Sequence, residues 1–117
     1  MTRRRAIALL VVALAVVLLV AACGGKGDRN APPQSTDTVS MRDNEFRPNH
    51  VSVPSGTTVT WTNDDSFPHD VTFSEGPASG VLDGGDAWEH AFAEAGTFDY
   101  ECTIHPGMVG RVTVTGG

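Results

Sequence analysis

The chain is short of basic residues, of cysteine and of any helical pattern. Of its 117 residues only 8 are Lys or Arg, against 14 Asp or Glu. Three of those eight, Arg3, Arg4 and Arg5, sit at the extreme N-terminus, so the remainder carries five basic side chains against fourteen acidic ones. Such a balance favours solubility and argues against nucleic acid or anionic lipid as the main partner, while it would steer encounter with a positively charged protein. There are two cysteines, Cys23 and Cys102. After the first thirty residues no useful length of sequence repeats apolar residues at helical spacing, which excludes helical folds. The length leaves room for one domain and a leader.

The leader occupies residues 1–22. Arg3 to Arg5 form a positive start, residues 6–22 are an unbroken apolar run, and Val20-Ala21-Ala22-Cys23 ends it with small residues before a cysteine. That order is a secretory signal. It resembles a bacterial lipoprotein signal, in which Cys23 is lipidated and becomes the new N-terminus. Ordinary cleavage and an uncleaved anchor are the alternatives, and twin-arginine export fits the residues after the arginines poorly. Each places the globular part outside the cytoplasm, in the periplasm or on the outer face of the cell membrane. Residues 23–37, rich in Gly, Pro, Ser, Asn and charge, read as a flexible linker. With Cys23 lipidated, Cys102 has no partner inside the chain, so it is either a small buried hydrophobe or a metal ligand.

Residues 38–117 carry turn signals every eight to twelve residues, the pattern of a β-sandwich or barrel of seven to eight strands. Expected strands are Thr38–Arg42, Val51–Val53, Thr57–Thr62, His69–Phe73, Trp88–Phe92, Thr97–Cys102 and Val109–Thr115, with a short one at Val81-Leu82. Phe46-Arg47-Pro48-Asn49 reads as a bend. Alternation turns Val59, Trp61, Val71, Phe73, Trp88, His90, Phe92, Phe98, Tyr100, Cys102, Val112 and Val114 inward. Met41, Trp61 and Trp88 read as packing residues. His50 alternates outward with Ser52 as a surface histidine, and His90 reads as partly buried and hydrogen-bonded.

The chemistry is concentrated in Cys102-Thr103-Ile104-His105-Pro106-Gly107-Met108. Thiolate and thioether sulfurs suit copper, imidazole suits either of its oxidation states, and a His₂Cys set with a weak axial Met is an electron-transfer site. The second histidine is His69, at the mouth of its strand. Zinc in the same ligands is not excluded by ligand type.

With these residues in view, the segments 61–73 and 96–114 resemble the cupredoxins, the small blue copper proteins, on the branch of amicyanin and plastocyanin. Pro68-His69, then Gly96, Phe98, Tyr100, Cys102, His105 and Met108, match the family's Gly-x-Tyr/Phe-x-Tyr-x-Cys-x₂-His-x₂-Met signature. The resemblance implies an all-β Greek-key sandwich and one copper held by His69, Cys102, His105 and Met108. It also implies that the His105 ring edge lies near the surface, with Pro68, Pro106 and Gly107 bordering an apolar docking patch there. Two residues depart from the pattern. Asp70 stands where the family usually has Asn, and Gly107 where amicyanin has a larger apolar residue.

The expected function is a monomeric, lipid-anchored electron carrier with no catalytic residue, exchanging electrons with a cytochrome, dehydrogenase or oxidase. A copper chaperone or store is the alternative, but such proteins display Met-rich sites and only three methionines occur. A multicopper oxidase needs further His pairs, and a binuclear centre needs a second loop cysteine. A metal-free immunoglobulin-like module would leave the spacing of Cys102, His105 and Met108 to chance.

Overall fold

Strands that alternate β-branched or aromatic residues with polar ones need a second layer to cover their apolar faces. In the computed structural model, which describes residues 27–116, eight strands supply it. They are β1 (Thr38–Arg42), β2 (Glu45–Arg47), β3 (His50–Pro54), β4 (Thr57–Asn63), β5 (Thr72–Phe73), β6 (Ala87–Phe92), β7 (Gly96–Glu101) and β8 (Val109–Thr115). One sheet has the order β2-β1-β4-β6 and the other β3-β8-β7-β5. The pairs β1/β4 and β3/β8 are parallel, while β1/β2, β4/β6, β5/β7 and β7/β8 are antiparallel. The expected leader over 1–22 and the expected lipidation at Cys23 lie outside the described residues.

Between the layers, Trp61 is the hub. It is fully buried and meets Phe73, Tyr100 and Trp88 at ring-centroid distances of 5.9, 5.5 and 5.3 Å. Val39, Met41, Val51, Val59, Val71, Val112 and Val114 fill the rest of the core. Trp88 and Phe98 pack against it from partly buried positions.

Four expectations need correction. The bend at 46–49 begins with a strand: β2 turns back on β1 through Asp43 and Asn44, both at positive φ (54° and 58°). That is the geometry of a tight two-residue hairpin. The strand expected over 69–73 shrinks to Thr72-Phe73, with His69 held instead in an isolated bridge to Leu82. His90 is partly buried as expected but bonds through its ring face: it stacks on Trp88 (5.8 Å, 8°) and meets Phe92 edge-on (4.9 Å).

The fourth concerns the linker and His50 together. From Gly27 the chain lies along β3 and β8 as a strap. The Gln34 N–H donates to His50 O (3.0 Å) and the Ser52 N–H to Gln34 O (2.9 Å). Arg29 donates to the carbonyls of Gly110 (3.2 Å) and Tyr100 (2.9 Å). His50 does share the outer face with Ser52, but the strap covers that face. Its ring is 8% exposed, bound between Ala31 O (2.8 Å) and the Thr113 hydroxyl (2.7 Å).

Candidate metal centre

β7 ends at Glu101 and delivers Cys102 as the next residue; β8 begins at Val109, directly after Met108. The loop between them is closed on itself. The Cys102 N–H donates to Met108 O (2.9 Å), and the Met108 N–H to His105 O (3.2 Å). A positive φ of 85° at Gly107 lets the chain turn there, a conformation open to glycine at no steric cost.

His69 comes from the β4–β5 connection. Asn63, fully buried at the end of β4, pins this loop: its side-chain amide donates to Phe67 O (2.7 Å) and Leu82 O (2.9 Å), and its oxygen accepts from the Asp65 N–H (2.9 Å). The backbone of His69 exchanges two hydrogen bonds with Leu82 (3.0 and 2.7 Å).

These supports bring three donor atoms together. His69 Nδ1 and His105 Nδ1 are 3.1 Å apart, and Cys102 Sγ lies 3.8 Å from the first and 3.9 Å from the second. One first-row ion with bonds of about 2.0–2.1 Å to nitrogen and ~2.3 Å to sulfur would space such donors by roughly 3.3–3.8 Å. The three spacings lie within about 0.2 Å of that range, so the triangle fits a single ion with little adjustment. Among the described residues this is the one group of three such side chains within ligating distance of each other. Met108 is fully buried on the same loop and Cys102 is 2% exposed, while His105 is partly exposed.

Outer partners fix the donors. His69 Nε2 is 2.8 Å from Asp65 Oδ2, so Nε2 carries the hydrogen and Nδ1 keeps its lone pair for the centre. Burial raises the Asp65 carboxyl. Hydrogen bonds from His69 and from the backbone N–H of Asp43 and Asn44 outweigh it, and Asp65 lies below its ordinary pKa. The same carboxylate thus ties the β1–β2 turn to a histidine of the centre. Cys102 Sγ accepts from the Asp70 N–H at 3.4 Å.

Asp70 itself spans the two loops. Its carboxylate accepts from the Thr103 N–H (2.9 Å), the Thr103 hydroxyl and the Thr72 hydroxyl (3.1 Å). An Asn would keep the acceptor for the Thr103 N–H but not the charge. Two unit charges interact by about 4 kcal/mol at ~4 Å where the effective dielectric constant is near 20, and by less when farther apart. For one electron that is an upper figure on the order of 100 mV. The Asp70 charge favours the more positive, oxidised metal, so Asp70→Asn raises the reduction potential by tens of millivolts. Protein-film voltammetry showing an equal or lower potential in the variant would refute this.

His69, Cys102 and His105 converge as the sequence predicted; Met108, the fourth expected ligand, is buried on the same loop. Pro68, Pro106 and Gly107 are exposed, and Phe67 (59% exposed) and Ile104 (39%) add apolar surface the sequence reading did not single out. It also missed Asn63 and Asp65, whose only signal was their nearness to Pro68-His69.

A family model described as a cupredoxin-like domain matches residues 10–114. Amicyanin-alpha of Methylorubrum extorquens is 33% identical over 118 residues, covering 96% of this chain and 98% of that protein. Amicyanin of Paracoccus denitrificans is 45% identical over 71 residues, 56% of this chain and 53% of that protein. Among solved structures, a purple cupredoxin from Nitrosopumilus maritimus superposes with a TM-score of 0.64 at 35% identity, over 68% of this chain and all of that one.

Proposed function

This chain belongs to the cupredoxin family, and we propose that it is a lipid-anchored electron carrier working outside the cytoplasmic membrane. Its cofactor is one copper ion, held in this reading by His69, Cys102, His105 and, more weakly, Met108. The observation that carries the reading is the convergence of two imidazole nitrogens and one thiol within 3.9 Å. Bound there, copper supplies a one-electron couple between Cu(II) and Cu(I).

The protein's part is to keep the donors still. Asp65 holds His69, Asn63 holds the loop before it, and the loop from Cys102 to Met108 is closed by its own backbone. Ligands that move little between oxidation states leave little reorganisation to oppose electron transfer. The partly exposed His105 ring is the port. Phe67, Pro68, Ile104 and Pro106 give it an exposed apolar surround, suited to a brief encounter with another redox protein. A cytochrome, dehydrogenase or oxidase fits that role. The burial of Cys102 and Met108 favours a carrier over a store with open, exchangeable ligands.

The test is to add Cu(II) to the mature chain and record visible absorption and EPR. One equivalent should give an intense thiolate-to-copper charge-transfer band with a narrow hyperfine splitting. A pale spectrum with a wide splitting, or no binding, would overturn the reading.

A further inference from the structure

The strap has a direction. It meets the domain at Gly27, where a Cβ would lie 2.6 Å from the backbone oxygen of Val109, the residue after Met108. Arg29 then bonds Tyr100 O and Gly110 O, a paired couple on β7 and β8 two residues from Cys102 and from Met108. Ala31 reaches His50, and Gln34 bridges Val51 farther along β3. The chain thus enters at the metal-bearing end and runs toward the opposite one.

We infer that this docking holds the metal-bearing end close to the membrane surface, facing a membrane-bound redox partner. The inference rests on the reading that Cys23 carries the lipid. Three residues lie between Cys23 and Gly27, which makes four Cα-to-Cα steps, and a fully extended chain spans at most ~3.3–3.6 Å per step, so the reach is about 14 Å. If the strap were free from Cys23 to Thr38, the same arithmetic would allow ~50 Å. The opposite end, at the β6–β7 turn, is a strand length farther, about 20 Å for the six residues of β7. The clasp therefore converts a long leash into a short one attached beside the port. Phe67, Pro68, Ile104 and Pro106 are then presented along the lipid surface, within reach of a protein embedded there. A soluble partner would have to enter the gap between domain and bilayer.

The acidic character of the chain fits this arrangement. Asp43, Asp64, Asp83 and Asp86, all exposed, sit on the turn and loops around the metal-bearing end. Their charge opposes direct adsorption of that end to anionic lipid and favours a partner with a basic rim.

The experiment uses the full, lipidated chain in phosphatidylcholine nanodiscs, reduced and isotope-labelled, with a gadolinium chelate on a fraction of the headgroups. Amide signals of the non-proline residues of 66–69 and 103–108 should lose most intensity and those of 93–96 least. Inserting about fifteen Gly/Ser residues between Gly25 and Lys26, which adds a root-mean-square reach of ~20 Å, should level that gradient. A uniform or reversed gradient in the native chain overturns the inference. An intact mass without diacylglycerol on Cys23 instead removes the anchoring reading, and the inference falls with it. On host membranes at equal surface density, the native chain should exchange electrons faster than the inserted one. The reverse order would identify a soluble partner and overturn the membrane-bound one.

Discussion

Replacing Cys102 with serine abolishes the intense visible band of the copper-loaded protein and leaves the sandwich folded. The band requires a thiolate bonded to copper, and the chain has no second cysteine among the described residues to substitute for this one. A serine oxygen sits on a shorter bond from Cβ, is not ionised at neutral pH, and is a harder donor than copper prefers. In the proposed site two imidazoles and the Met108 thioether would remain, so Cu(II) binding weakens and the residual spectrum is pale with a wide hyperfine splitting. The fold survives because the new hydroxyl keeps a partner: the Asp70 N–H that now points at Sγ from 3.4 Å can donate to oxygen. An unpaired buried hydroxyl would cost about 1–3 kcal/mol; with that bond retained the loss should stay near the lower figure. Far-UV circular dichroism checks the fold, and absorption with EPR checks the site. An intense band persisting in Cys102→Ser would place the copper elsewhere.

How legible this centre was depended on what kind of force positions each residue. Cys102, His105 and Met108 are fixed by local chain geometry: two strands whose alternation is plain in the sequence and a loop too short to wander. The expected bounds of Thr38–Arg42 and Val109–Thr115 coincide with β1 and β8, because β-branched residues on a period of two leave little choice. His69 was legible from its place at the end of such a segment, although its own backbone is held by a bridge to Leu82 rather than by a full strand.

The strap was not legible, for a physical reason. It docks through a guanidinium on two carbonyls, an imidazole on a third, and backbone bonds from Gln34. None of these produces apolar periodicity, so a segment of Gly, Pro, Ser and Asn looks the same whether it is docked or free. The error on His50 follows from that one. Alternation placed its ring on the correct face, and only the unseen cover made it buried. Asp65 shows a related limit: an acidic residue in a turn-rich loop is ordinary, and its bond to His69 exists only once the fold has closed.

Gly110→Ala tests how tightly the core is coupled to the centre, and it should be the most destabilising small substitution in the domain. A Cβ at Gly110 would stand 2.2 Å from Tyr100 Cζ, 2.4 Å from its hydroxyl oxygen and 2.6 Å from Cε2. Relief would require the Tyr100 ring to withdraw, but it is fully buried against Phe46 (4.7 Å), Phe73 (5.1 Å) and Trp61 (5.5 Å). Close-packed interiors give way only by moving backbone or forcing poor rotamers, and overpacking costs typically 1–3 kcal/mol, with more where nothing can yield. About 3 kcal/mol is expected here, a fall in Tm on the order of 15 °C for a domain of this size. Gly116→Ala, with nothing near its Cβ, is the neutral control. The damage should also reach the copper. Tyr100 and Gly110 are paired across β7 and β8, the two strands that end and begin beside Cys102 and Met108. Separating them would shift Cys102 and Met108 against the histidines, so the folded fraction should show an altered hyperfine splitting as well as a lower Tm. A variant with unchanged Tm would mean that Tyr100 has room the packing denies it. One with a lower Tm and an unchanged copper spectrum would show that the metal loop is insulated from the core behind it.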